Sequence, residues 1–396
     1  MKELSGGLEN VKGYRYSSIK CGIRYKDKID YSLIVSDTPC NASGVFTINK
    51  ISAAPVKICR ERINGKIRAI LINSTNANAC TGDEGYNNTI NLTSDIAEKL
   101  GTTPESILMA STGIIGRQLP ADKMLSAHDE LTGSLTRENG ATIAEAIMTT
   151  DTFPKQAAAS FEINGEEYVV AGVAKGSGMI APNMATLLSF IVTDASIDKK
   201  ILDAAFRKLV KKTFNAITID GDMSTNDTAI ILSPASENCF SNENEISDFI
   251  IALEHVMGSL AKLLIDDGEG ATKGVKIFVK GAATDDDADR ISRAVAESLL
   301  VKTAIFGNDP NWGRIACAAG YSGAEIIEKE LSIYLNDKPL FIKGKPTDID
   351  YSELEESLKR RNYTISIDAG LGKGESVMFT TDISYDYVKI NAEYST

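Results

Sequence analysis

The sequence predicts an α+β protein in which helices cover layered sheets. Segments of alternating or β-branched apolar residues run along the chain, and apolar residues at helical spacing mark four further segments. The two kinds of segment interleave without the regular rhythm of a doubly wound parallel sheet. The chain has 396 residues, of which 43% are hydrophobic and 24% charged, so it has the composition of a folded protein with two domains or one large domain and a lobe.

Eight strands are expected from β-branched content and period-two alternation. They lie at about residues 67–72, 107–110, 168–174, 186–193, 275–279, 363–367, 376–380 and 385–390. The glycine-rich segment 370–376 is expected to be a hairpin loop between two of these strands. Neither of the glycine patterns that cradle nucleotide phosphates occurs, which argues against a nucleotide cofactor.

Four helices are expected where apolar residues recur on one face. They lie within residues 90–100, 201–209, 249–264 and 291–299. The last is preceded by the acidic run Asp285, Asp286 and Asp287. We favour a helix N-terminus over a metal cluster there, because carboxylates at that position cap free amides and complement the helix dipole.

Charge and hydropathy exclude several classes of protein. Lys and Arg sum to 42 against 54 Asp and Glu, and the net charge of −12 excludes a nucleic-acid binder driven by bulk charge. No apolar run reaches the ~20 residues that a membrane span needs. The first ten residues carry no apolar segment typical of a secretory signal. We therefore expect a cytoplasmic protein.

Cysteines and histidines give no metal or disulfide pattern. The six cysteines are scattered without a Cys-x-x-Cys pair, so we expect reduced, mostly buried thiols, with Cys317 in the core. His128 and His255 are far apart in the sequence and are expected to be ordinary helix residues. Residues 220–227 begin like a calcium loop but lack its glycine and its final glutamate, which leaves a polar loop that could line a pocket.

Two glycine-containing segments carry the candidate chemistry. Residues 175–188 place a glycine-rich turn before a stretch that delivers Thr186 to the start of an apolar strand. A threonine at such a position is usually structural, because its β-branch suits the pleat. Residues 110–116 follow another expected strand, and their small side chains would let backbone amides approach a ligand. Each segment alone is also compatible with an ordinary turn.

Together with further segments, these motifs resemble the ornithine acetyltransferase family of arginine biosynthesis. The matching segments occur in the same order and span nearly the whole chain. They are Gly-Val-Phe-Thr at 44–47, Ser-Thr-Gly-Ile-Ile-Gly at 111–116, Thr-Thr-Asp-Thr at 149–152, Lys-Gly-Ser-Gly-Met-Ile-Ala-Pro-Asn-Met-Ala-Thr at 175–186, Asp-x-Ser-Thr-Asn-Asp at 222–227, Asp-Gly-Glu-Gly-Ala-Thr-Lys at 267–273, Asn-Asp-Pro-Asn-Trp-Gly-Arg at 308–314 and Asn-Ala-Glu-Tyr-Ser-Thr at 391–396.

The resemblance implies a layered αββα-type sandwich with a smaller C-terminal α/β lobe at about residues 280–396. It also implies a precursor that cleaves itself between Ala185 and Thr186. The resulting fragments, residues 1–185 and 186–396, would stay together and pair into a heterotetramer with two copies of each.

Cleavage would supply the base that the Thr186 hydroxyl lacks. A threonine hydroxyl is a weak nucleophile, and neither histidine is placed to activate it. The new α-amine would have a pKa of about 7.7 to 8.0, close to working pH. The resemblance assigns Thr112 and Gly113 to the oxyanion hole, which stabilises the tetrahedral intermediate.

The resemblance implies acetyl transfer from N²-acetyl-L-ornithine to L-glutamate, by a ping-pong mechanism through acetyl-Thr186 and without cofactor or metal. It leaves acetyl-CoA open as a second donor. Since the net charge of the protein repels an anionic substrate, a local cation is expected at the site. Thr150 and Thr152 are alternatives to Thr149 in the matched set, because the register of that segment is open. The substrate-binding residues that match the family are Thr149, Lys175, Thr186, Glu269, Asn391 and Thr396.

Two alternatives to this function remain open. An N-terminal-nucleophile aminopeptidase or amidase would share the self-cleavage, but water rather than glutamate would resolve its acyl-enzyme. A non-catalytic amino-acid-binding protein would keep the pocket and remain a single chain of 42.6 kDa.

Overall fold

The computed structural model describes residues 1–181, 187–242 and 245–393. Strands are numbered along the chain: β1 Lys2–Leu4, β2 Tyr14–Ile19, β3 Tyr31–Phe46, β4 Ile67–Asn73, β5 Ile107–Ser111, β6 Lys155–Ile163, β7 Glu166–Lys175, β8 Leu188–Thr193, β9 Ile217–Thr218, β10 Thr228–Pro234, β11 Gly274–Ala282, β12 Ser332–Leu335, β13 Lys338–Ile342, β14 Lys345–Pro346, β15 Asn362–Asp368 and β16 Gly374–Thr381. The α-helices are α1 Ala54–Arg62, α2 Gly82–Lys99, α3 Ala121–Ser126, α4 His128–Gly133, α5 Gly140–Ala146, α6 Lys199–Lys212, α7 Ser247–Asp266, α8 Asp285–Glu297, α9 Leu299–Phe306, α10 Trp312–Gly320, α11 Glu355–Lys359 and α12 Tyr385–Glu393.

The larger sheet is built around the long strand β3. Within the described residues its order is β1-β6-β7-β8-β10-β3-β4-β5, and β2 also pairs with β3. The first part of β3 pairs with β2 and β4, while its last part pairs with β10. The register of the β3–β4 pairing shifts between Val35 and Cys40. Such an irregularity bends a strand and increases its twist, so β3 joins two halves of the sheet.

Alternation along the strands sorts the buried side chains of this sheet into three layers. Leu33 of β3 packs with Leu92 of α2. The neighbouring Ile34 belongs to a cluster that also contains Phe190 of β8, from the other half of the sheet. Ile191, which alternates with Phe190, packs with α6 and α7. The layers therefore follow the order helix, one half of the sheet, the other half of the sheet, helix. The mixed α+β class predicted from the sequence is confirmed.

A second sheet lies in the C-terminal part of the chain. Within the described residues its order is β14-β13-β12-β15-β11-β16-β9. Strand β11 is parallel to β15 and antiparallel to β16. Ile277 of β11 shares a core with Ile291 of α8 and Ile315 of α10. Helices α8 and α10 therefore cover this sheet.

Most of the elements expected from local pattern are present. Six of the eight expected strands fall within β4, β5, β7, β11, β15 and β16, and the four expected helices correspond to α2, α6, α7 and α8. Helix α8 begins at the acidic run, and the Thr284 side chain accepts a hydrogen bond from the Asp287 amide. The expected strand 186–193 is described as β8 from Leu188 onwards, while Thr186 lies outside the described residues.

Two local predictions are wrong. Residues 385–390 belong to helix α12 rather than to a strand, and the Ser384 hydroxyl caps this helix by accepting from the Tyr387 amide at 3.2 Å. Segment 370–376 is not a hairpin loop, because β15 and β16 do not pair with each other. Strand β11 lies between them, so the segment crosses over a strand.

The thiols and imidazoles give a mixed outcome. Cys317 is exposed, which corrects the expectation that it lies in the core, because α10 turns Ile315 and Ala318 inward instead. Cys21, Cys40 and Cys59 are buried and Cys80 is exposed. His128 and His255 lie in α4 and α7, as expected. Among the described helices none has the length and apolar character needed to cross a bilayer.

Candidate active site

One pocket collects residues that are distant in sequence. Its volume is about 80 Å³, which is room for several water-sized groups. The described residues that line it come from the segments that follow β4, β5 and β7, the segment before β6, the loop before β10, the turn after α7, and α12. They are Ala77, Thr112, Gly113, Ile115, Thr149, Thr150, Lys175, Gly178, Met179, Ser224, Thr225, Asn226, Glu269 and Asn391.

Thr112 and Gly113 follow strand β5 and present two donors to this pocket. The φ of Gly113 is +133°, and a Cβ there would lie 2.2 Å from the carbonyl carbon of Thr75. Only glycine fits this position. Neither the Thr112 hydroxyl nor the Gly113 amide makes a hydrogen bond to a described residue. Both donors are therefore available to a ligand.

Lys175 ends strand β7 and is buried. Its Nζ donates to the Thr149 hydroxyl at 2.6 Å and lies 3.8 Å from Oδ2 of Asp151. Burial lowers the pKa of Lys175, and the Asp151 carboxylate opposes that shift. Asp151 therefore favours the charged form of Lys175 at the pocket wall.

The three threonines of segment 149–152 have different partners. Thr149 is the one that contacts Lys175. The Thr150 hydroxyl shares a hydrogen bond with the Ser177 hydroxyl at 2.8 Å. Thr152 instead donates its amide to the Asp267 carboxylate at 3.0 Å, and its hydroxyl donates to the same group. Thr149 and Thr150 line the pocket and Thr152 does not.

Glu269 lies in the turn that follows α7, on another wall of the pocket. Its amide donates to the Ser177 carbonyl at 2.7 Å, and its Oε2 accepts from the Asn391 side chain at 3.0 Å. A Cβ on Gly178 would lie 2.3 Å from the same Oε2. The glycine therefore lets the carboxylate lie against the 175–181 segment.

Helix α12 delivers Asn391 to the pocket. The Tyr387 hydroxyl of this helix donates to Asp220 at 3.2 Å. The helix also packs closely on Gly270, where a Cβ would lie 2.4 Å from the Tyr387 amide nitrogen. The C-terminal helix, which the sequence analysis expected to be a strand, thus forms part of the pocket wall.

The loop before β10 supports two neighbouring segments. The Asn226 side chain donates to the Ala77 carbonyl at 2.6 Å and to the Ser111 carbonyl at 2.8 Å. The Asp220 carboxylate accepts the amides of Met179 and Ile180 at 2.6 and 2.9 Å. The polar loop expected from the sequence therefore lines the pocket and also fixes the segment that leads to residue 182.

The structure brings together six of the residues that the sequence analysis singled out. Ala185, Thr186 and Thr396 lie outside the described residues. The buried charges of Asp151, Lys155 and Asp267 were not predicted from the sequence. The two aspartates stand inside matched segments, but Lys155 sits in a strand with no pattern that marks it. The six that line one pocket are Thr112, Gly113, Thr149, Lys175, Glu269 and Asn391.

A polar pocket in this layered α+β fold, with a buried lysine and a carboxylate on its walls, is typical of an enzyme. The sequence pattern of the ArgJ family matches residues 15–396. The chain belongs to the ArgJ family.

Similar proteins extend over the full length of the chain. The arginine biosynthesis bifunctional protein ArgJ of Geobacter sulfurreducens is 46% identical over 98% of this chain and 100% of its own length. The protein of the same name from Caldanaerobacter subterraneus is 45% identical over 100% of both chains. A crystal structure of ornithine acetyltransferase complexed with ornithine, from Mycobacterium tuberculosis, is 34% identical over 47% of this chain and 99% of that chain, with a TM-score of 0.44.

Proposed function

We propose that this protein is a self-processing acetyltransferase of arginine biosynthesis, which moves the acetyl group of N²-acetyl-L-ornithine to L-glutamate through acetyl-Thr186. Its relatives are named for arginine biosynthesis. The observation that carries the proposal is a single pocket that is lined by Lys175, Glu269, Thr112 and Gly113.

The charges of this pocket suit the proposed substrates. Acetylornithine and glutamate both carry an α-carboxylate, which the Lys175 ammonium binds. Thr149 and Asn391 hold the two charged groups in place, through the hydrogen bonds to Lys175 and Glu269. The Glu269 carboxylate pairs with the side-chain ammonium of ornithine. A pocket with one charge of each sign thus favours an amino acid over a simple anion.

The reaction proceeds in two acyl transfers. The Thr186 hydroxyl attacks the acetyl carbonyl, and the Thr186 α-amine takes its proton. The Thr112 hydroxyl and the Gly113 amide stabilise the oxyanion. Collapse of the tetrahedral intermediate releases the α-amine of ornithine, which recovers the proton. The amine of glutamate then attacks the acetyl ester, passes a proton back to the Thr186 oxygen and leaves as acetylglutamate.

The two proposed fragments share one sheet. Strand β7, before the cleavage point, pairs with β8 after it, and β3 pairs with β10 across seven register positions. These ladders support a complex that stays together after the chain is cut. We extend the proposal to a cytoplasmic heterotetramer with two copies of each fragment. Light scattering coupled to size exclusion tests the assembly, and a mass equal to one 42.6 kDa precursor contradicts it.

The test of the function follows cleavage and acetyl transfer together. Intact mass and N-terminal sequencing are expected to show fragments 1–185 and 186–396. The purified protein is expected to turn over acetylornithine only when glutamate is present, and without glutamate to release at most one equivalent of ornithine per site. Glutamate-independent release of acetate would instead identify the amidase alternative. The variant Thr186→Ala is expected to remain one inactive chain of 42.6 kDa.

A matched control tests whether the effect of Thr186→Ala is specific to that position or follows from replacing any threonine. Thr303 is exposed on α9, so Thr303→Ala is expected to cleave and react like the wild type. A single unbroken chain that transfers acetyl at the wild-type rate would refute the proposal.

A further inference from the structure

Four charged side chains are buried beside the pocket in a continuous row. Nζ of Lys155 lies 2.5 Å from Oδ2 of Asp267 and 2.7 Å from Oδ1 of Asp151. Oδ2 of Asp151 faces Lys175 at 3.8 Å. The side chains of Lys155 and Asp151 are fully buried. Of these four residues, Lys175 alone is among the described residues that line the pocket.

The Asp151 carboxylate fixes the backbone on both sides of the pocket lysine. Its Oδ1 accepts the Gly176 amide at 2.7 Å, and its Oδ2 accepts the Thr149 amide at 2.9 Å. Gly176 follows Lys175 in the chain, and Thr149 is the hydrogen-bond partner of the Lys175 ammonium. One carboxylate therefore positions both the backbone next to Lys175 and the hydrogen-bond partner of its ammonium.

The same carboxylate determines the charge of Lys175. Burial by itself raises the pKa of Asp151, but the Lys175 and Lys155 ammonium groups and the amide bonds lower it to about 2. Asp151 is therefore ionised at every pH at which an enzyme of this kind works. Burial disfavours the charged form of Lys175, and Asp151 is the largest opposing influence.

Other charged groups also face Lys175 and have smaller effects on its pKa. Glu269 and Asp227 favour its charged form, whereas Lys155 disfavours it. Lys28 also lies within electrostatic reach. Removing the Asp151 charge would leave a buried ammonium without its principal counter-ion, which disfavours protonation.

Asp267, at the other end of the row, supports the pocket wall that carries Glu269. Asp267 lies two residues before Glu269 and accepts the Thr152 amide at 3.0 Å. Because Lys155 joins Asp267 to Asp151, the turn that carries Glu269 and the segment that carries Thr149 are held by one set of charges.

We infer that Asp151 is a positioning residue for acetyl transfer, which keeps the Lys175 ammonium charged and aimed at the α-carboxylate of the substrate. This inference rests on the proposed function, because substrate binding by Lys175 is part of it. Asp151 acts through Lys175 and is not among the residues that line the pocket.

The test compares Asp151→Asn with the wild type in steady-state kinetics across pH. The substitution keeps the shape of the side chain and one acceptor oxygen. It removes the charge and replaces one of the two oxygens that accept the Gly176 and Thr149 amides by an NH2 group. KM for glutamate is expected to rise at least ~10-fold, and more than kcat falls, because a bound carboxylate loses its cation. The alkaline limb of kcat/KM is expected to move about 1 to 3 pH units lower, since loss of a nearby opposite charge shifts a pKa by that amount.

Two further variants separate charge from structure. Asp151→Glu keeps the charge, so its alkaline limb is expected at the wild-type position even if KM rises. Asp267→Asn removes a charge from the same row without touching Lys175, so its thermal midpoint is expected to fall while its alkaline limb stays in place. A shifted limb in either variant would overturn the inference.

Lys175→Met distinguishes failure of the inference from failure of the function. If it raises KM for glutamate while Asp151→Asn leaves KM and the alkaline limb unchanged, the inference is wrong and the proposed function stands. If Lys175→Met leaves KM unchanged, the role of Lys175 in the proposed function is itself wrong.

Discussion

The closest test of the pocket geometry is the substitution Gly178→Ala. A Cβ at this position would lie 2.3 Å from Oε2, 2.5 Å from Cδ and 2.8 Å from Oε1 of Glu269. Ordinary contact begins near 3.4 Å, so the carboxylate must retreat by about 1 Å. No left-handed φ is required at Gly178, and Glu269 is a half-buried side chain that can move. The backbone is therefore expected to tolerate the methyl group.

Gly178→Ala is expected to weaken substrate binding instead. Retreat of Oε2 breaks its 3.0 Å bond with Asn391 and moves the carboxylate away from the substrate ammonium that we propose it binds. A misplacement of about 1 Å in a positioning group can cost up to about 100-fold in rate. We expect KM for acetylornithine to rise about 10- to 100-fold in the acetyl-transfer assay, with a smaller change in KM for glutamate.

A glycine with open space around it serves as the control. Nothing lies within 4 Å of a Cβ added to Gly133 at the end of α4, so Gly133→Ala is expected to leave both KM values unchanged. Thermal unfolding of both variants checks the fold. Wild-type kinetics for Gly178→Ala at an unchanged thermal midpoint would refute the placement of Glu269 against this segment as a determinant of binding.

Two further predictions concern a proposed oxyanion donor, Thr112, and a buried lysine, Lys302. Thr112→Ala is expected to lower kcat at least ~100-fold with the thermal midpoint preserved, since one transition-state donor is lost, and unchanged turnover removes Thr112 from the mechanism. Burial lowers the pKa of Lys302 from 10.5 to about 7. Between these two pH values the unfolded chain binds a proton at this lysine that the folded chain does not bind. The contribution of Lys302 to the free energy of unfolding therefore rises with pH. Lys302→Met is expected to lack that rise in unfolding midpoints measured from pH 6.5 to 9.5, and parallel curves for variant and wild type would contradict the assignment.

Elements whose signals are local could be predicted from the sequence. Strands β4 and β5 follow from β-branched alternation, and they pair in parallel inside the sheet. Helix α8 follows from an apolar face and an acidic first turn, and the Thr284 cap lies where that pattern begins. In these elements backbone propensity, side-chain period and capping agree, so neighbouring residues alone decide the structure.

Elements whose structure depends on contacts with residues distant in the sequence could not be predicted in this way. The aromatic residues Tyr385 and Tyr387 favour a strand by propensity, yet the Ser384 cap and packing on Gly270 select a helix. The connection between β15 and β16 is not the expected hairpin loop, because the strand that it crosses, β11, comes from residues before α8. The exposed Cys317 follows from the face that α10 turns toward its sheet.

The family, the order of most strands and helices, and the kinds of side chain that line the pocket can be predicted from short sequence segments, because each of these depends mainly on neighbouring residues. The packing of sheets and helices selects Thr149 among the three clustered threonines as the partner of Lys175. It also places Lys155, a lysine in an ordinary strand, between two aspartates in the interior. A buried charge needs a counter-charge within a few ångströms, and that partner lies more than a hundred residues away in the case of Lys155 and Asp267. Such pairing depends on how the sheets and helices pack, which local pattern does not record.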